Sequence, residues 1–357
     1  DLGFLGSEFR GSSNAAGAES VERLVSDTLL AVGVVPSGRK LGFMLPRHGW
    51  QHLSRTDSGV HARSFFLATP PICLSHADFS RSDGSCPELC SKLNEALSST
   101  AVRVFAASRI PTSLDLSAIG VAREYRYYFP RRVLGPDSNS SKALAAILGA
   151  CVGSHSFVNF TDPSRNHMLR CRLPHITGGR LWLQAMRAHG QRRRIAGAAS
   201  VVGDAGAGNL TEGPVIPQEV RRLMQRELFA AELLGVPSDH DLLCVRLCGR
   251  GFLYGMVRLI VGAACAVARG TLSEAAFRSA LTAERTVDLM DLLAPASGLV
   301  LFGQEIDRKR APWFSPASSE NADAFFQAAI LPAIQKDLAR RHWTCGRAAV
   351  QRRRKTQ

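Results

Sequence analysis

The chain has 357 residues, a formal charge of +14 and a hydrophobic fraction of 45%. That length suits two joined modules and that apolar fraction a full core. No apolar run reaches the roughly 20 residues of a membrane helix; the best candidate, Gly255 to Arg269, is broken by Arg258. The excess charge therefore points to a polyanionic partner, with nucleic acid ahead of an anionic membrane surface.

In chain order, Ser20 to Val32 reads as a helix, with apolar residues at helical spacing, Ser20 as cap and Gly33 as stop. Ser85 to Leu97 is a second helix, with Pro87 in its first turn. Ala101 to Ala107 and Arg123 to Phe129 read as strands. The latter turns Tyr125, Tyr127 and Phe129 one way and Glu124, Arg126 and Tyr128 the other. Pro136 to Ser141 is a turn-rich break, followed by a helix from Lys142 to Cys151. Arg187 to Pro217 is rich in Gly, Ala and Arg without periodicity and reads as an insertion. Leu242 to Cys248 is a strand, Gly255 to Ala268 and Glu274 to Leu281 are helices, and Leu299 to Ile306 is a strand. Arg340, Arg341, Arg347 and the run Arg352 to Lys355 predict a solvated basic tail. These elements imply an α/β or α+β arrangement. The expected domains are an N-terminal module over 1–135, a C-terminal module over 136–310 and a basic extension over 311–357.

The nine cysteines are an odd number with no C-x-x-C spacing, which predicts reduced thiols in an intracellular compartment and no zinc site. Low Lys with high Arg, Ala and Ser suits a mitochondrial or other organellar protein, and a cytoplasmic or nuclear one remains open. The chain opens at Asp1, so a removed leader or a longer parent chain is expected; no signal peptide is visible.

The most informative segment is Ser54-Arg55-Thr56-Asp57-Ser58-Gly59-Val60-His61-Ala62. In an extended chain Arg55 and Asp57 share a face, and the nearby cation keeps the carboxylate ionised. Gly59 permits a sharp turn and close approach of a ligand. This suits an aspartate acting as nucleophile or base rather than as a metal ligand. Taken alone, an R-x-D is also an ordinary surface ion pair.

The whole string resembles the R-T-D-x-G-V-H-A signature of the TruA family of tRNA pseudouridine synthases. Further blocks follow in family order. Gly6-x-x-Phe9-x-Gly11 is similar to G-x-x-F-x-G, Arg123 to Tyr127 to K-x-Y-x-Y, and Gly153 to Phe157 to G-x-H-D-F. Phe252 to Arg258 is similar to F-L-x-x-M-V-R, with Val261-Gly262 after it, and Ala296 to Leu301 to P-x-G-L-x-L. The departures are Ser12-Ser13 for W-Q, a missing Gln after G-V-H-A and Ser156 for the Asp of G-x-H-D-F.

The resemblance implies an α+β pseudouridine synthase fold, in which two similar modules with largely antiparallel sheets flank a central basic cleft. It implies isomerisation of uridine to pseudouridine without cofactor or metal, and a homodimer acting on tRNA in the anticodon stem-loop region, or on another structured RNA such as rRNA. Asp57, Tyr125 and Arg258 are the implied catalytic residues. Arg55, His61, Arg123, His155, Phe252 and Leu253 are candidate RNA contacts. Tyr125 also reads as a core aromatic, Arg258 as a solvated cation, and His61 and His155 as residues that satisfy turns. The departures leave a second reading open, a catalytically reduced RNA-binding component of a ribonucleoprotein such as a ribosome.

Overall fold

The computed structural model describes residues 1–13, 19–34, 50–69, 84–111, 113–137, 139–162, 171–186, 213–235, 241–311 and 319–340. The chain forms two compact units, Asp1–Arg126 with Ala296–Arg341 and Tyr127–Pro295. The division thus falls earlier than the turn at Pro136 to Ser141, and the chain returns to the first unit near its end. Most of the 187–217 insertion, the cluster Arg192 to Arg194 and the tail beyond 340 lie outside the described residues.

In the first unit, β1 (Leu2–Phe4) pairs antiparallel with β5 (Val102–Val104) on one edge and with β3 (His61–Phe65) on the other. β10 (Leu299–Ile306) lies parallel to β3, with Val300 opposite His61 and Leu301 opposite Ala62. Next to β10 runs β6 (Gly120–Pro130), which continues across the unit boundary at Arg126. A separate two-stranded ribbon joins β2 (Gln51–His52) to β4 (Leu67–Ala68). The helix Val21–Ala31 is capped by Ser20, whose hydroxyl accepts from the Arg23 amide, as the sequence predicts.

The stretch 319–340, for which the sequence predicts no element, is helical, and Arg340 at its end is exposed as expected. Ser319–Phe325, a π-helical turn over Phe326–Ile330 and Leu331–Arg340 form continuous helix. Phe326, Ile330, Ile334 and Leu338 are buried at a spacing of one helical turn. Arg63 ties this helix to the sheet. Its Nε donates to Asp323 at 2.7 Å and its terminal nitrogens to the carbonyls of Phe302 and Ser319.

In the second unit, β8 (Gln225–Leu234) sits between β7 (Gly153–Ser156) and β9 (Leu242–Arg250), antiparallel to both. The helices Ser140–Gly149, Met256–Ala268 and Glu274–Thr282 complete the layer. Met256–Ala268 is buried on almost every side because it is built from apolar and small residues. The architecture is α+β with largely antiparallel pairing.

Gly262 decides how closely that helix packs. A Cβ built there would lie 1.7 Å from the carbonyl oxygen of Leu292, so the segment 292–294 rests directly on the helix backbone. We expect Gly262→Ala to cost on the order of 3 kcal/mol in urea unfolding. Gly149→Ala is the control. Nothing lies within 4 Å of its added methyl, and it should be neutral or stabilising by less than about 1 kcal/mol.

Candidate active site

Asp57 sits on the connection from β2 to β3. Residues 55–57 belong to no strand: the chain bends at Leu53 and Ser54 and turns at Ser58 and Gly59. Gly59 adopts a left-handed φ of 83°, and the Val60 amide donates to the Asp57 carbonyl at 3.1 Å. Arg55 is exposed and Asp57 half-buried.

The opening motif braces this turn. Ser12 is fully buried and bonds Thr56 twice: its amide donates to the Thr56 carbonyl at 3.3 Å, and its hydroxyl accepts from the Thr56 amide at 2.9 Å. Gly11, at a φ of 117°, lets the two backbones meet, since a Cβ there would lie 3.1 Å from the Thr56 carbonyl oxygen. Gly6 is equally constrained; its Cβ would lie 2.0 Å from the Val60 carbonyl oxygen. The sequence marks Ser12 only as a departure, yet it is the residue that fixes the backbone immediately before Asp57.

The other side of the loop is held from β6. Arg123 donates from Nε and a terminal nitrogen to the Leu53 carbonyl. The Tyr125 hydroxyl is 2.9 Å from the Ser54 hydroxyl. Tyr125 is 6% exposed, and burial pushes its phenol above the ordinary value. The bond to Ser54 and the charge of Arg123 act in the opposite direction, while the Asp57 charge adds to the rise. The phenol therefore stays neutral near the carboxylate. Its ring packs as core while its hydroxyl reaches the Asp57 loop.

His61 does not present itself for RNA contact. It is 1% exposed, the Gly6 amide donates to its Nδ1 at 3.2 Å, and the backbone of Ser297 is its second partner. With Nδ1 accepting, the ring is the neutral Nε2–H tautomer. Burial lowers its pKa from 6.5 to about 4, against the smaller opposing effects of Ser297 and Asp337.

In the second unit, Gly251 and Gly255 both take left-handed conformations, φ 72° and 73°, and bracket a tight turn before the helix Met256–Ala268. Thr161 holds that turn through a bond from its hydroxyl to the Tyr254 carbonyl at 2.8 Å. Leu253 is buried at 5% exposure and anchors the turn in the core, which removes it from the candidate RNA contacts; Phe252 is half-buried. Arg258, in the helix's first turn, donates from Nε to the Ala294 carbonyl at 2.7 Å, and its own carbonyl accepts from the Ala294 amide. The close approach at Gly262 makes this pairing with 294 reachable. His155 packs edge-on against Phe157, with Nε2 3.0 Å from the Val152 carbonyl, and so satisfies its own turn. Among the described residues no three His, Cys, Asp or Glu side chains gather as metal ligands, the cysteines are free thiols, and no helix is long and apolar enough to cross a membrane.

His61 generates a test of this packing. The folded ring takes a proton only near pH 4, whereas an unfolded histidine does so near 6.5. Between these values the unfolded chain holds more protons, so stability is complete above the upper one and falls as pH drops. The loss should reach the order of 3 kcal/mol. Urea melts across this window should show it, and His61→Gln should remove that share of the pH dependence.

A family model described as tRNA pseudouridine synthase matches residues 214–305, which include β8, β9, the 251–258 turn, Gly262 and most of β10. Two curated relatives are similar to the chain. The tRNA pseudouridine synthase A of Methanosarcina mazei is 26% identical over 160 residues, 45% of this chain and 51% of that protein. That of Methanosarcina barkeri is 27% identical over 160 residues, with the same shares. The chain spans about half the length of the curated relatives it matches. These matches make residues 214–305 similar to tRNA pseudouridine synthases, in line with the resemblance of the motif blocks to the TruA family.

Proposed function

We propose that this protein isomerises uridine to pseudouridine in tRNA, with Asp57 as the catalytic carboxylate. The observation that carries the reading is the Asp57 turn, braced by Ser12 on one side and by the β6 side chains on the other, with a neutral Tyr125 phenol close by. A carboxylate whose direction is fixed by packing is what attack at a defined sugar atom requires. The reaction breaks an N–C glycosidic bond, re-forms a C–C bond to the same base and releases the proton of C5. Asp57 either attacks the sugar or abstracts a proton from it. In this reading Tyr125 assists the later proton movement, and Arg258 keeps the catalytic role that the motif resemblance gives it, with its Nε bonded to the Ala294 carbonyl. The target base must leave its stack, at a cost of a few kcal/mol.

The substrate class follows the names of the two relatives, and a uridine in the anticodon stem-loop region and a homodimer follow the motif resemblance. The high positive charge supports phosphate contact. Arg55, exposed beside the turn, is the best placed of the candidate RNA contacts in the first unit.

Tritium release from C5-labelled tRNA tests the assignment. We expect Asp57→Ala to lower the rate to below roughly a thousandth while RNA affinity is kept. Equal rates for the two proteins would remove Asp57 from the mechanism. An inactive wild-type protein that still binds structured RNA would favour the RNA-binding reading. Binding itself should weaken with salt, by about 0.7–0.9 in the slope of log K against log salt for each phosphate neutralised; a flat line would show that the charge serves another purpose.

A further inference from the structure

We propose that Arg123 and Ser12 are positioning residues that clamp the Asp57 loop from its two ends, and that Arg123 does this in place of contacting RNA. The inference rests on the isomerase reading for its consequence, and on geometry alone for the clamp. Arg123 and Tyr125 are two apart on β6 and reach successive residues of the loop: the guanidinium grips the Leu53 carbonyl, and the phenol meets the Ser54 hydroxyl. Three residues on, Ser12 bonds both the amide and the carbonyl of Thr56. Ser12 is itself anchored, since its carbonyl accepts from the Glu22 amide at 3.1 Å in the first turn of the helix Val21–Ala31. Leu53 and Thr56 are both buried, so the clamped backbone lies inside the unit while the next residue, Asp57, emerges from it.

This arrangement commits two of the guanidinium's five donors to the protein's own backbone. Nε and a terminal nitrogen of Arg123 converge on one backbone oxygen, a geometry that fixes the loop. The chain also departs from the TruA family's pattern at residue 12. A small hydroxyl side chain there fits a fully buried space and supplies an acceptor for the Thr56 amide, which would otherwise be buried without one.

The test uses the full chain with Arg123→Met, Arg123→Lys and Ser12→Ala. Single-turnover rates on tRNA should fall by roughly tenfold to a hundredfold for Arg123→Met and Ser12→Ala, the scale of a misplaced reacting group. RNA affinity and the salt slope should stay unchanged. Arg123→Lys should recover part of the rate, because an ammonium can reach one carbonyl. Amide exchange should accelerate over residues 53–60 in the two disabling variants and not over the helix Met256–Ala268. A salt slope reduced by about 0.7–0.9 in Arg123→Met would identify a phosphate contact and overturn the proposal. Unchanged exchange over 53–60 would overturn it as well. If wild-type protein shows no isomerase activity, the functional reading fails separately, and the exchange measurement alone decides the clamp.

Discussion

The paired hydrogen bonds between Ser12 and Thr56 tie the chain's first turn to the residue before Asp57. Much of the first unit is arranged so that this pairing can exist. Gly11 gives the backbone the left-handed conformation and the closeness it needs, and Gly6 lets the same segment lie against Val60 and His61. β1, which precedes Ser12, and β3, which follows Thr56, are adjacent in one sheet. His61 closes the arrangement by accepting from the Gly6 amide, which its neutral state permits and protonation would not. An exposed turn with few buried contacts is usually among the softest parts of a fold. Here it is held by side chain and backbone from two elements.

The second unit uses the same device for Arg258. Two left-handed glycines shape the 251–255 turn, Thr161 pins it, and Gly262 brings Leu292 to Ala294 close enough for the arginine to bond the Ala294 carbonyl. In both units a glycine removes the side chain that would hold two backbones apart, and a polar group then spans the contact. An arginine held in this way loses less freedom when it meets an anion than one on an open helix face.

The returning C-terminal segment adds a third support. Arg63 on β3 reaches Asp323 and Ser319, and the Phe302 ring lies under both Arg63 and Arg126, the latter at 3.4 Å. Phe302 also meets Phe326 edge-on at 5.4 Å. The strand that follows the Asp57 turn is thus fastened to the last described helix by charge, stacking and apolar packing together.

Much of this could be read from the residues alone. β10 forms over the predicted residues 299–306 and the helix Met256–Ala268 within one residue of its predicted start, because apolar spacing and flanking glycines mark both. The Asp57 turn was legible because Gly59 and its neighbours form a long, specific string. Other elements were illegible for definite reasons. β8 reads Gln-Arg-Glu-Leu-Phe-Ala-Ala-Glu-Leu-Leu, a run of good helix formers, and is a strand because β7 and β9 pair with both its edges. β3 is buried on both faces between β1 and β10, so it shows no alternation. The helices over 319–340 were hidden by the cations around them. The sequence by itself determined where the candidate residues fall: Asp57 in a turn, Tyr125 on a strand and Arg258 in the first turn of a helix. Only the tertiary structure decided that Ser12 and Arg123 hold the carboxylate's loop and that His61 is buried as a neutral brace. Those roles depend on backbone groups brought together across 44, 70 and 55 residues of chain, and no local pattern of side chains encodes which carbonyl a distant hydroxyl or guanidinium will meet.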